Sequence, residues 1–252
     1  MDLRVLTLNT WNVEGPWQRR WELILREVEV LKPAVLCFQE IQDENFARRI
    51  AEGFHWDHAY SDRRSWLLTL TRGKVIDSDH RPYQTQSPAE SYTRGFLATR
   101  ISWDRQEFVV VNTHLAWRLP EHETRLAQVQ ELVAYLDRHH KGKPVLVAGD
   151  FNAPAGSPPI EWMKEKSRFI DAYAVRHPGE LGYTWDNRNP FTASHGYPDR
   201  RLDYLFFRDF PLELGLEKAD IIFNRADSEG IYPSDHFGLF AEFKCGDGDD
   251  RT

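Results

Sequence analysis

Residues 144–152, Pro144-Val145-Leu146-Val147-Ala148-Gly149-Asp150-Phe151-Asn152, set an unbroken apolar run directly before a carboxylate and an amide. A short apolar run bounded by turn residues is the pattern of a buried strand, and this one ends at Asp150. The same design recurs upstream, where Ala34-Val35-Leu36-Cys37-Phe38 delivers Gln39-Glu40 and a strand over 107–113 delivers Asn112-Thr113-His114. Residues 3–9, Leu-Arg-Val-Leu-Thr-Leu-Asn, alternate apolar and polar with period two and end at Asn9. Downstream, Arg201-Leu202-Asp203 opens a strand expected over 202–207, and Ser234-Asp235-His236 precedes one expected over 237–243.

Helices fall between these strands. Residues 16–31 open with Pro16 and carry Trp17, Trp21, Ile24, Val28 and Leu31 at helical spacing until Lys32-Pro33 stops them. Residues 121–138 repeat the pattern with Leu126, Val129, Val133 and Leu136 on one face. Shorter helices are expected over 43–52 and near 157–165. Residues 54–60, 66–71, 92–101 and 213–223 read as further strands, with turns at Gly73, Asp77 to Pro82 and Pro88. The stretch 176–200, rich in Arg, Asn, Gly, Pro and aromatics, reads as one long loop. No repeat or linker divides the chain. Residues 1–245 are therefore expected to form a single domain, followed by a disordered acidic tail over 246–252. The mixture predicts an α/β fold, a four-layered sandwich of two packed mixed β-sheets flanked by helices, with the polar strand ends gathered at one rim.

A chain of 252 residues can bury a core without disulfides. Cys37 sits inside an apolar run and Cys245 in a polar tail; nothing demands a bridge, and free thiols suit a reducing compartment. Met1-Asp2-Leu3-Arg4 lacks the apolar region of a secretory signal, and no apolar stretch reaches the length of a membrane span. A cytoplasmic monomer is the expectation. The net charge of -7 lowers the odds of strong, sequence-tolerant attraction to a polyanion.

Four carboxylates (Glu40, Asp150, Asp203, Asp235) and four neutral polar groups (Asn9, His114, Asn152, His236) thus fall at expected strand ends. A phosphodiester repels an anionic nucleophile, so hydrolysis needs charge neutralisation, an aimed water and a stabilised leaving oxygen. Glu40 with Asn9 would suit a Mg²⁺ ion, which prefers oxygen ligands, and Asp235 could hold a second ion or orient water. No Cys/His set has zinc spacing. A buried Asp203 could fix the tautomer of His236. Asp150 could orient or deprotonate the water, Asn152 could donate to a phosphate oxygen, and His114 could stabilise developing charge.

Gln39-Glu40, Asn112-Thr113-His114-Leu115, Gly149-Asp150-Phe151-Asn152, Arg201-Leu202-Asp203-Tyr204 and Ser234-Asp235-His236 resemble, in order, the motifs of the endonuclease/exonuclease/phosphatase superfamily. That group holds DNase I-like nucleases, abasic-site endonucleases, deadenylases, tyrosyl-DNA phosphodiesterases, inositol polyphosphate 5-phosphatases and neutral sphingomyelinases. The resemblance implies a DNase I-like fold and a hydrolase dependent on Mg²⁺, for which Mn²⁺ can substitute. It implies Glu40 as the principal metal ligand with Asn9 beside it, Asp150 and Asn152 at the nucleophile and phosphate, and Asp203 paired with His236. Asp235 would lie at the metal or the water. His114 stands where the abasic-site endonucleases place a tyrosine, which argues against that activity. Arg94 occupies a position where relatives use an arginine on the phosphate.

Bland readings compete for several of these residues. His139-His140 falls at a helix C-terminus, where a charge–dipole role suffices, and His177 and His195 read as solvated. Trp117 and Trp185 are the aromatics placed to wall a substrate pocket, against the alternative that they fold back on their own loops. Three functions remain open. A nuclease would use Arg63, Arg64, Arg188, Arg200 and Arg201 as a basic rim; a sphingomyelinase-like enzyme, or one acting on a small phosphorylated metabolite, would use the aromatics on its phospholipid headgroup or metabolite; and a non-catalytic module would only bind.

Overall fold

The computed structural model describes residues 2–61, 64–210 and 214–245. Its strands are Leu3–Asn9 (β1), Val35–Gln39 (β2), Asp57–Tyr60 (β3), Leu68–Thr71 (β4), Lys74–Pro82 (β5), Gly95–Trp103 (β6), Gln106–His114 (β7), Val145–Asp150 (β8), Ile170–Asp171 (β9), Asp203–Arg208 (β10), Leu214–Ile222 (β11) and Gly238–Cys245 (β12). The helices are Trp17–Leu31 (α1), Glu44–Phe54 (α2), His122–His139 (α3), Pro158–Glu161 (α4), Ala172–Arg176 (α5) and Pro190–Ala193 (α6). The strands form two six-stranded sheets, in the orders β11-β12-β1-β2-β4-β3 and β5-β6-β7-β8-β10-β9. Both are mixed: β1 runs parallel to β2 and antiparallel to β12, and β7 runs parallel to β8, which is antiparallel to β10.

The period-two alternation of the strands sorts their side chains into layers. Val109, Val111, Val145 and Val147 meet Val129, Leu132, Val133 and Leu136 of α3 on the outside of the second sheet. Their neighbours Val110, Leu146 and Ala148 point the other way, onto Val5, Val35, Cys37 and Ala241 of the first sheet. Leu6, Leu8, Leu36 and Phe38 form the outer face of that first sheet, against Trp21, Ile24 and Val28 of α1 and Ala47 and Ile50 of α2. The result is the four-layered sandwich, helix, sheet, sheet, helix. Cys37 is a free cysteine in the middle layer, where burial pushes its thiol up to about 12. No described helix is long and apolar enough to cross a membrane.

Helix ends follow from their local chemistry. Asp43 caps α2 by accepting from the Asn45 and Phe46 amides, and α1 stops where Lys32 turns into the left-handed region ahead of Pro33. The main departure from the sequence reading is β5. Residues 77–82, read as turns, belong to an edge strand whose side chains are largely exposed and charged, so no apolar alternation betrays it. The short helix near 157–165 is a helical turn, α4, that widens into a π-turn over Trp162–Lys166. The 176–200 segment contains α6 and a bridge between Trp185 and Arg200, and β9 and α5 lie just before it. The expected acidic tail over 246–252 lies outside the described residues.

Candidate active site

Strand register explains how distant residues meet. In the second sheet His114 pairs with Asp150 across the parallel ladder, and Asp150 pairs with Asp203 because β10 starts where its antiparallel neighbour β8 ends. In the first sheet Asn9 pairs with Gln39, which places Glu40 just beyond β2. The loop before β12 brings Asp235 and His236 to the same rim. Glu40 and Asn152 both have left-handed backbone, at φ 64° and 48°, a conformation costing non-glycine residues on the order of 1 kcal/mol or more and often kept where a side chain must be aimed. Gly149 has φ 146°, and a Cβ there would lie 2.0 Å from the Thr113 carbonyl oxygen. Only glycine lets β8 run this close to β7.

Asp150 is the hub. Its Oδ2 accepts from Asn9 Nδ2 at 3.1 Å and lies 3.3 Å from His114 Nε2 and 3.8 Å from His236 Nε2, while Oδ1 accepts from the Asn152 amide at 2.8 Å. The other ring nitrogen of His236, Nδ1, is 2.8 Å from Asp203 Oδ2. Asp203, His236 and Asp150 thus form a chain of carboxylate, imidazole and carboxylate, all buried. Burial disfavours the imidazolium, but Asp203 and Asp150 outweigh it and hold the His236 pKa well above the ordinary histidine value. Burial likewise opposes ionisation of Asp150, yet His236 and His114 beside it hold its carboxyl well below the usual range. Asp203 moves the other way, raised by burial against the pull of His236.

Asn9 joins this relay to Glu40. Its Nδ2 also donates to Glu40 Oε1 at 3.2 Å, and its Oδ1 accepts from the Trp11 amide. Asp235 lies on the same side. Burial pushes its carboxyl up to about 7 against the pull of His236, with the charge of Glu40 adding to the rise. The cation behind them, Arg20, is engaged elsewhere, donating to the carbonyls of Glu14, Thr10, Pro233, Trp11 and Asn12. Carboxylates that face one cleft could hold a hard divalent ion. Ligand atoms of Asp150, Asp203 and His236 also lie within 4.8 Å of one another, close enough to hold a metal. Both nitrogens of His236 face carboxylates, however, one at hydrogen-bond length, which is the geometry of a proton relay. Glu40 and Asp235, which face the same cleft, could also serve as metal donors.

Asn9, Glu40, His114, Asp150, Asn152, Asp235 and His236 line one cleft of about 450 Å³. Trp11, Trp66, Tyr92, Trp117, Trp185 and Tyr197 contribute to its walls, as do Arg94 and Arg200. Trp117 is half-buried, and Trp185 packs edge-on against His236 with centroids 5.0 Å apart. Arg94 is buried and donates from Nε to Glu90. His195, read as solvated, is exposed and also borders the cleft beside Trp185. Of the arginines expected as a rim, Arg201 is instead buried in a two-pronged pair with Asp171, Arg188 folds onto Asp186, Arg64 lies outside the cleft lining and Arg63 lies outside the described residues. Arg201 could not serve as rim because Asp171 holds its two terminal nitrogens in the interior.

Sequence reasoning missed the residues that hold the site together. Arg20 ties the loop after β1 to the one before β12. Asn189, which caps α6, and Thr192 within it donate to the carbonyls of Ser234 and Asp235. Thr184 Oγ1 accepts from the Leu202 and Asp203 amides. All four act through backbone groups, which leave no side-chain motif; the Asn189-Pro190 helix start is the one local signal.

The profile of the Endonuclease/Exonuclease/phosphatase family matches residues 10–236. The protein angel of Drosophila melanogaster is 28% identical over 181 residues, covering 64% of this chain and 51% of its own length. The chain thus spans about half of that relative. Tyrosyl-DNA phosphodiesterase 2 of Gallus gallus is 24% identical, covering 94% of this chain and 66% of its own. Among solved structures, D. rerio TDP2 complexed with single strand DNA product superposes with a TM-score of 0.78 at 18% identity, covering 96% of this chain and 99% of that one. At that identity the likeness speaks for the fold.

Proposed function

Since the chain belongs to the Endonuclease/Exonuclease/phosphatase family, we propose that it is a Mg²⁺-dependent phosphodiesterase that cleaves nucleic-acid esters by in-line attack of water. The observation that carries this reading is the Asp203, His236, Asp150 chain, joined through Asn9 to Glu40. Glu40 and Asp235 would hold the metal, with Asn9 beside them, and the ion would supply charge neutralisation at the phosphate. Asp150, held ionised, accepts a proton from the attacking water or aims it. His236, kept in one orientation by Asp203, donates to an oxygen of the phosphoryl group, and His114 stands beside Asp150 to do the same at the leaving oxygen. Asn152 gives one N–H to the Leu115 carbonyl at 3.2 Å and has its second for the phosphate.

The aromatic walls support unpaired nucleotides as substrate, because bases stack on such rings whatever their sequence. They would equally receive a choline headgroup, and this is the second reading. The test is turnover of bis(p-nitrophenyl) phosphate, single-stranded DNA and RNA, a phosphomonoester and a choline phospholipid, with and without Mg²⁺. Diester and single-strand hydrolysis that disappears in Glu40→Ala and His236→Ala is expected. A choline phospholipid hydrolysed in preference to nucleic acid would select the second reading, and no metal-dependent hydrolysis of any member would refute an enzyme.

A further inference from the structure

Among the described residues two arginines line the cleft, and they differ in what surrounds the charge. Arg94 Nε lies 2.6 Å from Glu90 Oε2, with both side chains buried, so the two form a neutral unit. Glu90 is fixed in turn by the Trp117 amide. Arg200 has no such neighbour. Among the described residues its side chain meets no hydrogen-bond acceptor and no carboxylate within ion-pair range, and its Nε is buried without a partner. The guanidinium carbon lies instead 5.7 Å from the centre of the Trp185 ring and 5.1 Å from that of Tyr197.

This arrangement is held firmly. The Arg200 amide donates to the Trp185 carbonyl, and the Arg200 carbonyl accepts from the amides of Thr184 and Trp185. Two aromatic faces can stabilise a half-buried cation, but they leave its N–H donors unmatched. Burial works against the charge, and the nearby Asp150 works for it. Trp185 touches His236 on its other contacts, so the unmatched guanidinium sits one ring away from the relay. A planar fork of donors without an acceptor, beside a site for phosphoesters, is matched by the oxygens of a phosphate.

We propose that Arg200 is the residue that grips the substrate's phosphate, donating to its non-bridging oxygens when an ester enters the cleft. Arg94, which the sequence offered for this task, is neutralised by Glu90. The assignment deepens the phosphoester reading and rests on it. The phosphate is either the scissile one or its neighbour along a strand, and the substrates below separate the two.

The test begins without turnover. Inorganic phosphate and a single-stranded oligonucleotide are titrated into the whole protein while arginine side-chain NMR follows the guanidinium signals, with Arg200→Lys and Arg200→Gln identifying the signal of Arg200. That signal is expected to move. Arg200→Lys should weaken phosphate binding about tenfold or more, as expected for loss of a charge-assisted fork, whereas Arg188→Lys, at an exposed guanidinium already paired with Asp186, should bind as the parent does. In turnover, a raised KM for bis(p-nitrophenyl) phosphate places the contact on the scissile phosphate; a rise confined to the oligonucleotide places it on the neighbouring one. An Arg200 signal unmoved by both probes overturns the assignment. A signal that moves in a protein hydrolysing no ester would leave the assignment standing and refute the enzymatic reading.

Discussion

Gln39 Nε2 donates to Asn112 Oδ1 at 2.7 Å, one residue before Glu40 on β2 and two residues before His114 on β7. The bond crosses from one sheet to the other. Asn112 in turn donates to the carbonyls of Phe38 and Leu68, so a buried polar clasp fixes the spacing of the two halves of the site. Asn112→Ala should therefore destabilise the protein by about 1–3 kcal/mol, the cost of leaving a buried partner unmatched. Denaturant unfolding checks this. A double-mutant cycle with Gln39→Ala should show strong coupling, and additive effects would deny the clasp.

Asp203→Asn keeps the shape of the carboxylate and removes its charge. With His236 no longer held by an anion, kcat should fall by roughly 10²–10⁴-fold, while metal affinity, proposed to rest on Glu40 and Asp235, should stay near that of the parent. Steady-state kinetics together with metal titration by calorimetry would decide. A fall in metal affinity of the same size would instead put Asp203 in the metal site.

Chelation of divalent ions should abolish activity, and added Mg²⁺ should restore it. Bound metal should also raise Tm, since a ligand at about 100 times its Kd stabilises by about 2.7 kcal/mol. Glu40→Gln should lose most of that Tm rise while folding normally without metal. An undiminished rise in this variant would move the metal away from Glu40.

Gly149→Ala sets a Cβ against the Thr113 carbonyl in a backbone region that side chains avoid. The loss should be on the order of 3 kcal/mol, read as a lower Tm, because neither β7 nor β8 can shift without separating His114 from Asp150. A variant as stable as the parent would mean that the strands part without cost.

Burial raises the Glu27 carboxyl pKa, against the opposing pull of the Phe223 amide and Arg225. The folded state then binds its proton more tightly than the unfolded chain, so this residue's contribution falls as pH rises from the ordinary carboxyl range through the folded value. Glu27→Gln removes the fall. The variant should match the parent near about pH 4 and gain on it by about pH 7, as measured by urea midpoints at each pH. A constant difference across that range would exclude the linkage.

The strand ends were legible because buried strands carry unbroken or alternating apolar runs, and the chemistry follows each run directly, as Gly149-Asp150 follows Val145 to Ala148. The partnership of Asp203 with His236 was legible for the same reason. β5 was hidden because an exposed edge strand pairs through its backbone and has no apolar face to display. Arg201 was misread as surface because its partner, Asp171, is thirty residues away in sequence and joins it only after folding. Gln39 and Asn112 appeared as part of the site's motifs; their work is to fasten the sheets beneath it. Arg20 and Thr184 were invisible because they bind backbone groups, which every residue has.

The pairing of β1 with β12, where Leu3 lies opposite Phe243, closes a very long loop. Such distant strands meet late in folding, so β1 keeps one flank open until β12 docks on it. Asp235 and His236 sit just ahead of β12 and reach the rim with that same docking. An intermediate that lacks β12 therefore holds most of the strands and not the end of the relay.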